Sequence, residues 1–142
     1  MSAYKLIKII KTSDNKESQS IYDKDTLEVA VMDMHNDFGV AVKQDATIGA
    51  YAVVIDNTTG AKADSVQWGD FVKHRVYTHN DASEDNIAAY DTEKLAIGNY
   101  HTKLSAQRNN ANVNHAITIR LDGKGDFADS DAWNRNPEPV ET

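Results

Sequence analysis

The segment DTLEVAVMDMHNDFGVAV (residues 25–42), followed by GAYAVVID (49–56), decides the fold because its pattern returns 66 residues later. The second copy reads DTEKLAIGNYHTKLSAQR (91–108) and HAITIRLD (115–122). Residues 5–57 align with 71–123 without a gap. The identical pairs include Thr12/Thr78, Asp25/Asp91, Thr26/Thr92, Ala30/Ala96, His35/His101, Ala50/Ala116 and Asp56/Asp122. Such a repeat predicts architecture more directly than chemistry.

Within each copy the apolar period changes from strand to helix and back. In the first helix the apolar residues recur at three- and four-residue steps, which predicts an amphipathic helix with Asp25 as its N-cap. The predicted elements of the first copy are a strand at 4–11, a polar loop, this helix and a strand at 49–56. Those of the second copy are a strand at 70–78, a helix at 84–108 and a strand at 115–121. Residues 64–68 and 129–133 are predicted to add short edge strands.

A doubled β-α-β unit predicts an α+β fold of the ferredoxin-like type, with a four-stranded antiparallel sheet carrying two helices on one face. We expect residues 1–135 to form one domain of two repeats, 1–69 and 70–135, followed by a tail at 136–142. The helices are expected to share a core with Tyr51, Val53, Ile55, Ile117, Ile119 and Leu121. The other sheet face would show Ile7, Ile9, Ala52 and Val54. Such a face is either covered in a homodimer or larger oligomer, or partly solvated with scattered apolar residues.

Composition excludes several classes of function. The chain has 22 acidic and 15 basic residues, a net charge of −7, which argues against binding to a nucleic-acid backbone. Because it has no cysteine, disulfides and thiolate metal sites are impossible. No stretch approaches the roughly 20 apolar residues of a membrane helix. The opening MSAYKLIKIIK lacks a signal-peptide pattern, so the expected location is intracellular.

Two pairs of residues recur at equivalent places and are the candidates for binding a protein partner. His35 and His101 occupy the same place in each copy, late in the helix, where an imidazole can bind a metal, act in acid–base chemistry or simply border the core. Trp68 and Trp133 each end a copy, as DSVQW and DSDAW. A tryptophan in such a place either closes the core or contacts a partner.

A second set of residues suits a small anionic ligand, such as a nucleotide signal. These candidate contacts are Lys73, His74, Arg75, Arg108 and Arg120. The acidic run at 122–131 fails as an EF-hand loop, because Phe127 and Trp133 stand where Gly and Glu are needed. No catalytic residue, metal site or cofactor is predicted, since no nucleophile, phosphate-loop or dinucleotide motif is found.

The order of helix, then HNDFG (35–39) or HTKLS (101–105), apolar strand, turn and acidic ending in Trp resembles small uncharacterised proteins of phages and prophages of gut Firmicutes. In those proteins one such unit often makes the whole chain, so this sequence resembles a tandem form. The resemblance implies a viral accessory or virion protein, in the cytoplasm of a bacterial host cell or associated with the virion. It implies no catalytic residue.

Three functions follow as hypotheses. The first is a non-enzymatic phage protein that acts through protein–protein contacts, as an assembly component or an inhibitor of a host factor. The second is a protein that sequesters a small anionic ligand. The third is a small enzyme that uses a helix histidine as acid or base.

Overall fold

The computed structural model describes residues 3–70 and 73–135, which form two ββαββ units. The first unit contains β1 (Tyr4–Thr12), β2 (Glu17–Lys24), α1 (Leu27–Val42), β3 (Thr47–Asp56) and β4 (Lys62–Gly69). The second unit contains β5 (His74–Asn80), β6 (Asp85–Tyr90), α2 (Glu93–Asn109), β7 (His115–Leu121) and β8 (Phe127–Asn134). Each unit makes its own antiparallel sheet, in the orders β2-β1-β3-β4 and β6-β5-β7-β8.

The ferredoxin-like prediction, one four-stranded sheet with two helices on one face, is therefore wrong. The strands it omits are β2, which was assigned to a loop, and β6, which was assigned to the start of a helix. The β2 sequence ESQSIYDK is polar, because this edge strand has most of its side chains half-buried or exposed. The edge strands expected at 64–68 and 129–133 are present as β4 and β8. The predicted tail, 136–142, lies outside the described residues.

The two sheets pack face to face. Their inner faces share one apolar core, in which each large side chain that is fully buried contributes about 1.5–3 kcal/mol. The buried members are Ile7, Ile9, Tyr51, Val53, Ile55, Tyr77, Ile87, Ile117, Ile119 and Leu121. The expectation that the helices join this core is wrong, because each helix covers the opposite face of its own sheet.

The helices pack on the outer faces and give four layers in the order helix, sheet, sheet, helix. Under α1, Ala30 and Met34 pack on Leu6, Ala52 and Val54. Under α2, Ala96 and Tyr100 pack on Val76. The expected open face bearing Ile7, Ile9, Ala52 and Val54 does not exist, since the first two residues face the other sheet and the last two face α1.

Both helices begin with the same cap. The hydroxyl groups of Thr26 and Thr92 accept hydrogen bonds from the backbone N–H groups of Val29 and Leu95, each at 3.2 Å. A capping threonine satisfies one of the amides that the first helical turn leaves unpaired. The N-cap of α1 is therefore Thr26 and not Asp25.

The first strands of the two units are 70 residues apart, although the helices are 66 apart. Lys5 lies opposite Ile55 and Asp23, whereas Arg75 lies opposite Leu121 and Ala89. Leu6 therefore corresponds to Val76 and Ile10 to Asn80, so the gapless alignment was wrong over these strands. The β1–β2 hairpin is two residues longer on each strand than the β5–β6 hairpin, while both turns have four residues.

The contacts between the units are exchanged by an approximate twofold axis. Lys5 of the first unit binds Asp85 of the second at 2.8 Å, and the counterpart pair is Arg75 with Gln19 at 3.3 Å. A second such exchange joins Gly60 to the Ile117 side chain and Gly125 to the Tyr51 ring. The two units therefore pack together like the subunits of a symmetric dimer.

Candidate interaction surface

The outward surface of α1 carries three exposed apolar residues, Val29, Met32 and Val40, with the polar Asn36 between them. We call these four residues the α1 face. With 3.6 residues per turn, these positions lie on one side of the helix, away from Ala30 and Met34. Val29, Met32 and Val40 are 42%, 61% and 49% exposed. Burial in the core therefore does not explain why these three positions are apolar.

The first unit holds most of the exposed apolar surface. Of the eight large hydrophobic residues that are exposed in the described part of the chain, six belong to it. The six are Tyr22, Leu27, Val29, Met32, Val40 and Trp68, and the two in the second unit are Leu95 and Ile97. At the α2 positions equivalent to the α1 face stand Leu95, Gly98, Thr102 and Ala106, so only the first of them is large and apolar.

A groove of about 350 Å³ opens beside the α1 face, between the C-terminal half of α1 and β1. Ile10 and Ala41 line it, and Val40 belongs to both the groove and the α1 face. Lys8 and Asp37 are also part of its lining and form an ion pair at 3.2 Å. The groove thus extends the exposed apolar surface and holds one ion pair in its lining.

The equivalent place in the second unit is filled by polar side chains. Asn80 stands where the first unit has Ile10, and Gln107 where it has Ala41. The Asn80 Nδ2 donates to Gln107 Oε1 at 2.6 Å, and Gln107 Nε2 donates to Glu84 Oε2 at 3.1 Å. Lys103, the counterpart of Asp37, completes the network on Glu84. An internal hydrogen-bond network therefore replaces the groove.

Trp68 and Trp133 occupy equivalent positions in β4 and β8, opposite Ala50 and Ala116. Trp133 is half-buried between two guanidinium groups, at 5.2 Å from Arg108 and 4.9 Å from Arg135. The counterparts of these arginines in the first unit are Val42 and Asp70. Trp68, which lacks two such cations at the equivalent places, is 47% exposed on the first unit.

The helix histidines do not form a common site. His35 and His101 are both exposed, on helices that cover opposite faces of the four-layer stack. The ring of His101 makes an edge contact with Tyr100 at 5.2 Å. His35 lies at one flank of the α1 face, so it is the histidine nearest the surface described here.

The predicted anion contacts are dispersed and mostly neutralised. Arg75 is buried between the sheets and binds Glu17, while Arg120 points to the outer face and binds Asp129 at 2.7 Å. The remaining ion pairs of this set are Lys73 with Asp91 and Arg108 with Asp131. His74 is half-buried in β5. These side chains do not converge on one pocket.

The richest group of titratable side chains lies between the sheets, around Asp85. Its carboxylate accepts hydrogen bonds from Lys5 and from the Tyr77 hydroxyl at 2.8 and 2.9 Å, and His79 Nδ1 lies 3.7 Å away. Burial lowers the pKa of His79, and the nearby Lys5 ammonium lowers it further. Burial also raises the pKa of Tyr77, so its phenol stays protonated.

Lys5 is charged in this cluster and is 3% exposed. Burial alone would lower its pKa, but hydrogen bonds to Asp23 and Asp85 outweigh burial and raise it. Because Lys5 itself is buried, removal of its acidic partners would leave a buried charge unpaired, which is costly. We therefore assign Lys5, Tyr77, His79 and Asp85 a structural role in the packing of the two sheets. Within residues 3–70 and 73–135, no group of three or more histidines and carboxylates is arranged to hold a metal ion.

No protein-family model, curated protein or solved structure matches the chain. Among the described residues, no helix is long and apolar enough to cross a membrane.

Sequence reasoning missed the α1 face, because Val29, Met32 and Val40 lie on a different side of the helix from the apolar residues that predicted it. The sequence did contain a sign of this surface, because α1 has more apolar residues than one buried side of a helix needs.

Proposed function

We propose that this protein acts by binding a protein through the outer surface of its first unit, with the α1 face as the contact. The observation that carries the proposal is that the apolar residues of the α1 face, Val29, Met32 and Val40, are exposed beside an open groove. Exposed apolar patches of this kind mark interaction surfaces. The second unit supports the proposal by contrast, because its helix has the same place in the fold and a more polar outer face.

The groove beside the α1 face can accept a side chain of the bound protein. Interfaces draw most of their affinity from a few apolar or aromatic side chains that enter pockets. Ile10, Val40 and Ala41 offer apolar walls to one such side chain. Trp68 adds exposed aromatic surface on the same unit. The resemblance to phage proteins predicts a viral context, in which such a contact would serve either assembly or the inhibition of a host factor.

Photo-crosslinking in cells that express the protein tests the proposal. A benzophenone amino acid replaces Met32 in one variant and the equivalent Gly98 of α2 in the control. We expect position 32 to give adducts of defined mass, identified by mass spectrometry, and position 98 to give none. A purified partner identified in this way should bind the wild-type chain and lose binding on Val40→Lys. Equal adducts at both positions, or none at position 32, would contradict the proposal.

A further inference from the structure

We infer that the α1 face binds a second copy of this chain, so that two α1 helices pack antiparallel across a twofold axis at Asn36. This inference rests on the proposed function, because it names the partner of the same surface. It concerns an isologous contact, in which the same patch serves both molecules.

The spacing of the α1 face supports an antiparallel pair. With the axis at Asn36, Met32 of each copy lies opposite Val40 of the other, at the rim of the groove. Val29 lies opposite the end of the partner helix. Asn36 meets its own copy at the centre, where the two amides can exchange hydrogen bonds. A polar residue at the centre of a helix pair fixes the register of the helices.

Charge at the helix ends also favours this orientation. Glu28 lies in the first turn of α1 and Lys43 caps its C-terminus, and both are exposed. Neither residue takes part in an ion pair within the part of the chain that the structure describes. In the antiparallel pair each Glu28 lies near Lys43 of the other copy, whereas parallel packing would place Glu28 beside Glu28. The opposed helix dipoles favour the same arrangement.

The second unit lacks this complementarity. Lys94 stands at the α2 position of Glu28, and Asn109 at that of Lys43. Because only one helix of each molecule carries the surface, association stops at two molecules. A single pair of short helices buries less surface than a standard interface, so we expect a weak dimer with a dissociation constant on the order of micromolar.

Sedimentation velocity over a concentration series tests the inference on the full chain. We expect a monomer–dimer equilibrium whose dissociation constant rises at least about tenfold on Met32→Lys. Gly98→Lys, the matched change on α2, should leave it unchanged. Met32 is 61% exposed, so the variant should keep its fold, which circular dichroism checks.

Charge exchange tests the orientation. Glu28→Lys places two lysines together at each end and should weaken the dimer severalfold, and Lys43→Glu should do the same. The double variant Glu28→Lys/Lys43→Glu restores opposite charges and should recover the wild-type affinity. A purely structural role for either residue would not produce this recovery. If the double variant fails to recover the wild-type affinity, the antiparallel arrangement is overturned.

The failures of the two proposals can be told apart. A wild-type chain that stays monomeric at hundreds of micromolar overturns the inference of a second copy. If position 32 then still crosslinks to a different protein that Val40→Lys releases, the proposed function stands without it. A dimer that Met32→Lys leaves intact would place the contact elsewhere and overturn the inference as well.

Discussion

The helices α1 and α2 occupy equivalent places over their sheets, yet they present different surfaces to solvent. The α1 face carries Val29, Met32 and Val40, whereas only Leu95 is large and apolar at the equivalent positions of α2. The inner faces of the two sheets are both apolar and meet in one core. The inner faces hold the two units together, whereas the outer face of the first unit keeps exposed apolar residues, which supports the proposed binding role.

The same division appears beside the helices. In the second unit Asn80, Gln107 and Glu84 bond to one another and fill the space under α2. In the first unit the equivalent space is a groove lined by Ile10 and Ala41. The polar side chains of the second unit thus hydrogen-bond to one another, whereas the first unit leaves apolar side chains exposed that a partner can cover. The following changes test this comparison, from the largest expected effect to the smallest.

The equivalent turn glycines Gly60 and Gly125 should respond unequally to alanine. Both have a positive φ, +75° and +83°, which costs an L-residue about 1–2 kcal/mol. At Gly125 the added Cβ would also lie 2.5 Å from the buried Tyr51 ring, whereas at Gly60 the nearest atom is 3.3 Å away. We expect Gly125→Ala to lower the free energy of unfolding by about 3 kcal/mol and Gly60→Ala by about 1.5 kcal/mol. Urea denaturation of both variants measures this, and equal losses would contradict the account of the exchanged contacts.

The polar network under α2 should be more costly to break than the rim of the groove. Gln107→Ala removes the hydrogen-bond partner of the buried Asn80 amide, so we expect a loss of about 2 kcal/mol in the free energy of unfolding. Gln44→Ala, at the exposed rim of the groove, should change it by less than about 0.5 kcal/mol. Thermal and urea unfolding compare the two variants. A cost at Gln44 as large as at Gln107 would mean that the groove is a closed part of the core.

His79 should make the second unit sensitive to acid. Its pKa in the folded chain is lowered by burial, so below about pH 6.5, the ordinary value, the unfolded chain binds a proton more readily than the folded one. The contribution of this histidine to stability is therefore present above that pH and is lost as the pH falls through the folded pKa. The first unit has Ile9 at the equivalent position, so His79→Ile should flatten the pH dependence of stability between about pH 7 and 5. An unchanged pH profile in this variant would assign the acid sensitivity to other groups.

The strands and helices with a clear apolar period could be predicted from the sequence. The helical spacing of Leu27, Val31 and Met34 predicted α1, and the apolar run at 49–56 predicted β3, which spans Thr47–Asp56. The edge strand β2 could not be predicted in this way, because its side chains face solvent on much of both sides and its sequence is polar.

The assignment of faces failed for a different reason. A strand covered on both faces is apolar at nearly every position, as in β3, so alternation cannot say which residues face the helix and which face the other sheet. Tyr51, Val53 and Ile55 were placed under the helices and instead face the second sheet. The α1 face was missed for a related reason, because an exposed Met32 and a buried Met34 are equally apolar in the sequence.

Cysteine crosslinking at Asn36 tests most directly the claim that two α1 helices pair across Asn36. Because the chain has no cysteine, the introduced thiol is the only one that can form a disulfide. Asn36→Cys and the α2 control Thr102→Cys are each oxidised under mild conditions and resolved on a non-reducing gel. If two α1 helices cross at Asn36, the first variant should form a disulfide-linked dimer rapidly, and the second should remain a monomer. A monomer for Asn36→Cys, or equal dimer formation in both variants, would contradict the account.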